Sequence, residues 1–148
     1  TTATITLASS DIMDNSLSVS NTATLTKAGA STGLPDTSGL RRKRISTTPA
    51  VDLIKREPEG LTANGANKLY IKNTGSSSVD YIDIAIGDKD ADAGEELLAT
   101  GGNSKITLGK LFGGDWMLIP FEGSTNNDII VVPSTAEATT IEWMLFFE

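Results

Sequence analysis

The chain has 148 residues with no cysteine and no histidine, and 12 Lys/Arg against 19 Asp/Glu give it a formal charge of −7. These absences exclude disulfide frameworks, thiol nucleophiles, iron–sulfur clusters and cysteine-held zinc, together with the imidazole that serine and cysteine triads and most zinc sites require. A chain of this length makes one domain, or a domain with an appended arm, and can bury roughly 70% of its unfolded surface without a metal or disulfide staple.

A count of 19 Thr and 14 Ser suits an extended β protein. The start, Thr1 to Thr6, lacks the positive and apolar regions of a secretory signal. The expectation is a chain made and kept in the cytosol unless a larger assembly carries it. No apolar run is long enough to cross a bilayer. In the first stretch Ala3, Ile5 and Leu7 alternate with Thr2, Thr4 and Thr6, and Leu17, Val19, Ala23 and Leu25 alternate with Ser and Thr. Such segments bury too little alone to overcome chain entropy. They are expected to order by adding to a sheet edge or along a neighbouring subunit, with Ile5, Leu7, Leu17, Val19 and Leu25 as contact residues.

The glycine-rich turns at 27–34 and 112–115 match no phosphate-cradling loop. Arg41, Arg42, Lys43 and Arg44 form a run of cations suited to an acidic partner surface, with a solvated loop as the plain alternative. Nucleic acid is disfavoured as its target, because no aromatic lies near in sequence and the rest of the chain is acidic. Residues 48–56 fit a helix opened by Pro49 or a strand, and the strand is preferred.

Residues 1–60 carry seven Lys/Arg and six Asp/Glu, residues 61–148 five and thirteen, and all eight aromatics fall in the second part. The chain is therefore divided into an extended arm with short strands, 1–60, and a compact acidic β domain, 61–148. Within the domain, 69–73 and 79–86 read as a hairpin around a Gly-Ser turn, and 105–111, 116–121 and 129–132 as further strands. Asp88, Asp90 and Asp92 alternate as calcium ligands do. Ala93 and Ala99, however, occupy the positions where an EF-hand needs Gly and Glu, so a solvated acidic loop is the preferred reading. Residues 92–99 carry a short helical signal closed by Gly101 and Gly102. Asp80, Asp83, Asp115 and Glu122 offer carboxylate pairs of the kind glycosidases use, but they read as solvent-facing strand and turn positions. The strand from 139 to the end alternates cleanly, with Met144 and Phe146 half covered. The expected core is Leu69, Ile71, Ile82, Ile84, Ile86, Trp116, Ile141, Trp143, Leu145 and Phe147. The expected fold is all-β, an antiparallel β-sandwich or jelly-roll-like domain behind an N-terminal arm.

The phrases at 24–34 (TLTKAGASTGL), 67–74 (NKLYIKNT), 108–120 (LGKLFGGDWMLIP) and 141–146 (IEWMLF) resemble small virion structural proteins of tailed bacteriophages, of the cyanophage and related marine phage type. The resemblance spans most of the chain in order but rests on turns and strands. It implies a non-enzymatic protein without cofactor, assembled in many copies on a virion in the host cytoplasm. The expected role is a capsid decoration or cement protein that binds the major capsid protein and stabilises the shell, its arm lacing into neighbouring subunits as a homo-oligomer. The alternatives are a neck, tail or fibre component, or a carbohydrate-binding β-sandwich. The last requires Trp116, Trp143, Tyr70 or Tyr81 to be exposed.

Overall fold

The computed structural model describes residues 2–12, 15–27, 30–46, 50–55, 65–87, 105–121, 128–135 and 138–147, without the side chains of 11, 12, 15–17, 105 and 121. Two long Thr/Ser-rich strands, β1 (Thr2–Ile12) and β2 (Asn15–Thr24), pair antiparallel as a separate ribbon. The following strands are shorter: β3 (Asp36–Thr37), β4 (Arg41–Ile45), β5 (Val51–Ile54), β6 (Asn67–Asn73), β7 (Tyr81–Gly87), β8 (Lys105–Phe112), β9 (Trp116–Phe121), β10 (Asp128–Pro133) and β11 (Thr139–Phe147). In β6 and through the middle of β11, burial alternates residue by residue, the mark of strands with one face in a core and one outside.

Two antiparallel sheets result, one ordered β4-β11-β6-β9 and one ordered β5-β10-β7-β8. The pairs β4·β11, β5·β10, β6·β9 and β7·β8 are those of one long hairpin closed at β7–β8, and the added pairs β11·β6 and β10·β7 roll that hairpin into two sheets. This is the strand order of a jelly roll. The all-β sandwich expected from the sequence is therefore the fold. Between the sheets lie Ile45, Leu53, Ile54, Leu69, Ile71, Ile82, Ile84, Leu111, Ile129, Val131, Ile141, Trp143 and Leu145, with Ile86, Met117, Ile119 and Phe147 packed at the margin. Burying an aliphatic side chain of this size contributes about 1.5–3 kcal/mol, so this aliphatic layer carries the domain.

Three sequence expectations are corrected. The segments 69–73 and 79–86 are not a hairpin: β6 pairs with β11 and β9, β7 with β10 and β8, and residues 74–80 cross from one sheet to the other. Both strands have apolar faces that meet across the core, and seven residues easily bridge sheets stacked about 10 Å apart. The arm does not extend to residue 60. Only the ribbon stands in a sheet of its own, whereas β4 and β5 are edge strands of the sandwich and contribute Ile45, Leu53 and Ile54 to its core. Aliphatic residues suffice at these edges, so the absence of aromatics marked no boundary. Trp116 is not in the core but 50% exposed. In the wholly apolar start of β9, Met117 and Ile119 turn inward, which leaves Trp116 and Leu118 on the outer face.

β3 and β4 run one after the other along the same edge of β11, interrupted at Gly39, which adopts φ 68°. Ser38 spans the interruption: its N–H donates to Leu145 O at 2.9 Å, and its hydroxyl accepts from Leu145 N–H at 3.0 Å.

Candidate functional site

The ribbon has two unlike faces because antiparallel register puts directly opposed residues on the same side. Thr2, Thr4, Thr6 and Ala8 oppose Thr24, Thr22, Ser20 and Ser18. This face is a hydroxyl ladder, with Thr4 Oγ1 and Thr22 Oγ1 2.8 Å apart and Thr6 Oγ1 and Ser20 Oγ 3.3 Å apart. On the other face Ala3, Ile5 and Leu7 oppose Ala23, Asn21 and Val19. Ile5 is 41% exposed, Leu7 56% and Val19 48%, so the apolar face is open. Leu17 opposes Ser9 in β2, and its side chain lies outside the described residues. Leu25, expected as a contact residue, is instead buried where the ribbon joins the sandwich; its carbonyl accepts from Leu34 N–H at 2.7 Å.

At this junction the ribbon overlies the outer face of the β4-β11-β6-β9 sheet. A groove of about 480 Å³ is lined by Thr2–Ile5 and Leu25 on one side and by Tyr70, Lys72, Trp116, Leu118, Met144 and Phe146 on the other. The face is ordered in cross-strand rows: Arg42, Glu142, Lys72 and Trp116 form one, and Met144, Tyr70 and Leu118 the next. Tyr70 and Trp116 are tilted rings with centroids 6.3 Å apart. Glu142 lies between the two cations, accepts from Arg42 Nε at 2.5 Å and pairs with its guanidinium.

Strand alternation splits the basic run. Arg42 and Arg44 share the outer face with Glu142 and Thr140, while Arg41 and Lys43 oppose the inward-facing Trp143 and Ile141 at the sheet edge. Lys43 Nζ reaches across to the other sheet and donates to Asp52 O at 3.3 Å. This division is not legible in the sequence, because four consecutive cations carry no strand signal of their own.

A second cleft, about 290 Å³, lies where the 74–80 crossing meets the β8–β9 turn and is lined by small polar residues. Its groups are paired among themselves. Asn73 Nδ2 donates to Leu111 O at 3.0 Å while its Oδ1 accepts from Gly75 N–H at 2.9 Å, and Ser77 Oγ lies 2.8 Å from Asp80 Oδ2. This cleft is a structural joint between the two crossings. On the opposite sheet Lys110 Nζ lies 3.6 Å from the Tyr81 ring centroid and 3.5 Å from Asp83 Oδ1. The hydrogen bond to Tyr81 raises its pKa; desolvation opposes this and the Asp83 charge adds to it.

Asp88, Asp90 and Asp92, like the helical signal at 92–99 and Glu122, lie outside the described residues. Among the described residues no group of three or more acidic side chains is placed to hold a metal ion. Sequence reasoning noted Met144 and Phe146 as half covered but missed that Tyr70, Lys72, Trp116 and Leu118 join them. The signal was the alternation of β6, in which Leu69, Ile71 and Asn73 turn inward and force Tyr70 and Lys72 out. Comparison with family models, with curated proteins and with solved structures finds no match to this chain.

Proposed function

We propose that this chain is a non-enzymatic virion structural protein, a decoration or cement protein whose jelly-roll domain sits on the major capsid shell while its ribbon laces neighbouring copies together. The observation that carries this reading is the ribbon: two strands of 11 and 10 residues whose apolar face is left open. An isolated two-stranded hairpin is marginal in water, so a ribbon of this length is stabilised by what it lies against. Jelly rolls serve in viral capsids, which agrees with this role at the level of fold analogy only. The test is quantitative mass spectrometry of purified virus particles. Hundreds of copies per particle are expected; a dozen or fewer would move the protein to the neck or a fibre, and absence would refute the reading.

A second reading, a carbohydrate-binding module, is favoured by one observation: Trp116 is half exposed beside Tyr70 and Lys72, an aromatic platform of the kind sugar rings stack on. Binding of a neutral glycan that Trp116→Ala abolishes would support it.

A further inference from the structure

The ribbon's apolar face and the aromatic face of the sandwich are both incompletely covered within one copy. Ala3 and Ile5 touch the groove only at the ribbon's base, while Leu7 and Val19, further along the same face, remain half exposed. We propose that the apolar face of one copy's ribbon seats on the Tyr70, Leu118, Met144 and Phe146 face of a second copy, exchanging arms between subunits. The proposal deepens the assembly reading, on which it rests for its biological setting.

Three features favour a second copy as the occupant. The first is chemical fit: the groove floor is a row of apolar side chains, Met144, Tyr70 and Leu118, and the ribbon presents Ile5 and Leu7 at two-residue spacing with Val19 opposite Leu7 on the same face. The second is position. The chain's own Thr2–Ile5 segment lines this groove, so the base of the ribbon already borders this face. The third is charge complementarity. Residues 2–24 include Asp11 and Asp14 and no lysine or arginine. The outward positions of β4, β6 and β11 carry Arg42, Arg44, Lys68 and Lys72 against Glu142 alone. A chain of net charge −7 is repelled by its copies in general, and a ribbon without cations meeting a face rich in them offsets part of that repulsion.

The experiment is sedimentation velocity on the full-length protein at micromolar concentration. Wild type is expected to be a defined oligomer. A ribbon variant, Leu7→Asp with Val19→Asp, and a face variant, Met144→Asp, are each expected to sediment as monomers. Should Met144→Asp shift the unfolding midpoint, the charge reversal Arg44→Glu with Lys72→Glu replaces it. Mixing a ribbon variant with a face variant is expected to restore a one-to-one dimer, because the intact ribbon of one meets the intact face of the other. A monomeric wild type, a face variant that still oligomerises, or a mixture that stays monomeric would each overturn the proposal. A monomeric wild type leaves decoration by single copies standing, and absence from particles leaves the exchange standing, so the two readings fail separately.

Discussion

Gly113 sits in the turn between β8 and β9 where the crossing 74–80 passes against it: a Cβ there would lie 2.7 Å from both Ser77 N and Ser77 O and 2.8 Å from Gly75 O. These are backbone atoms that cannot rotate away, and Gly113 N–H also donates to Ser77 O at 3.1 Å. Gly113→Ala is expected to cost about 1–3 kcal/mol, read as a lower midpoint of urea unfolding. Asn73→Ala strands a buried carbonyl and a partly buried N–H at the same joint, and the loss should be at least as large, since each unmet group costs about 1–3 kcal/mol. The sequence marked both regions as turns, but a turn signal carries no information about which other turn it touches. Lys110 adds a pH dependence. Because its folded pKa is raised above the ordinary 10.5, its contribution is fully present below that value and is lost as pH rises through the folded pKa. The stability difference between wild type and Lys110→Met should be constant near neutrality and shift in the destabilising direction for wild type as pH rises above 10.5.

Among the elements, β4 shows where sequence reading met its limit, whereas β5 was read as a strand but assigned to the arm and not to the sandwich. β6, β7 and β11 were legible from their alternation, and the inward phase of each was read correctly at Leu69, Ile71, Ile82, Ile84, Ile141, Trp143 and Leu145. β4 reads Arg-Arg-Lys-Arg-Ile, a strand only because β11 offers it an edge; a single inward Ile45 fixes its register. Edge strands of this kind are specified by their neighbours, so local pattern does not reveal them. The consequence is that a chain of residues 30–148 should unfold cooperatively near the wild-type midpoint. One of residues 61–148, deprived of Ile45, Leu53 and Ile54, should show no cooperative transition by tryptophan fluorescence. At the outer face, Arg42→Ala removes an ion pair whose guanidinium is largely exposed and should change stability by no more than about 1 kcal/mol.

At the scale of the whole molecule, the sequence made the fold class legible because period-two apolar patterning recurs through most of the chain. It did not reveal the strand order, since rolling a long hairpin into a jelly roll depends on contacts between segments far apart in sequence. The candidate surface was legible in halves: the ribbon's alternation of Thr with Ala, Ile and Leu was plain, whereas the groove it meets is assembled from β6, β9 and β11. On the proposed reading, ribbon and domain make up a subunit held by its neighbours. If copies are joined through their ribbons they bind a shell multivalently, so losing the ribbon should then weaken attachment far more than losing any one contact. Co-sedimentation of the full-length chain and of a chain lacking residues 1–26 with virus particles stripped of this protein tests that idea most directly. Saturating binding of the full-length chain with loss of binding on deletion is expected; equal occupancy by the two would contradict the ribbon as the element that holds the protein in its assembly.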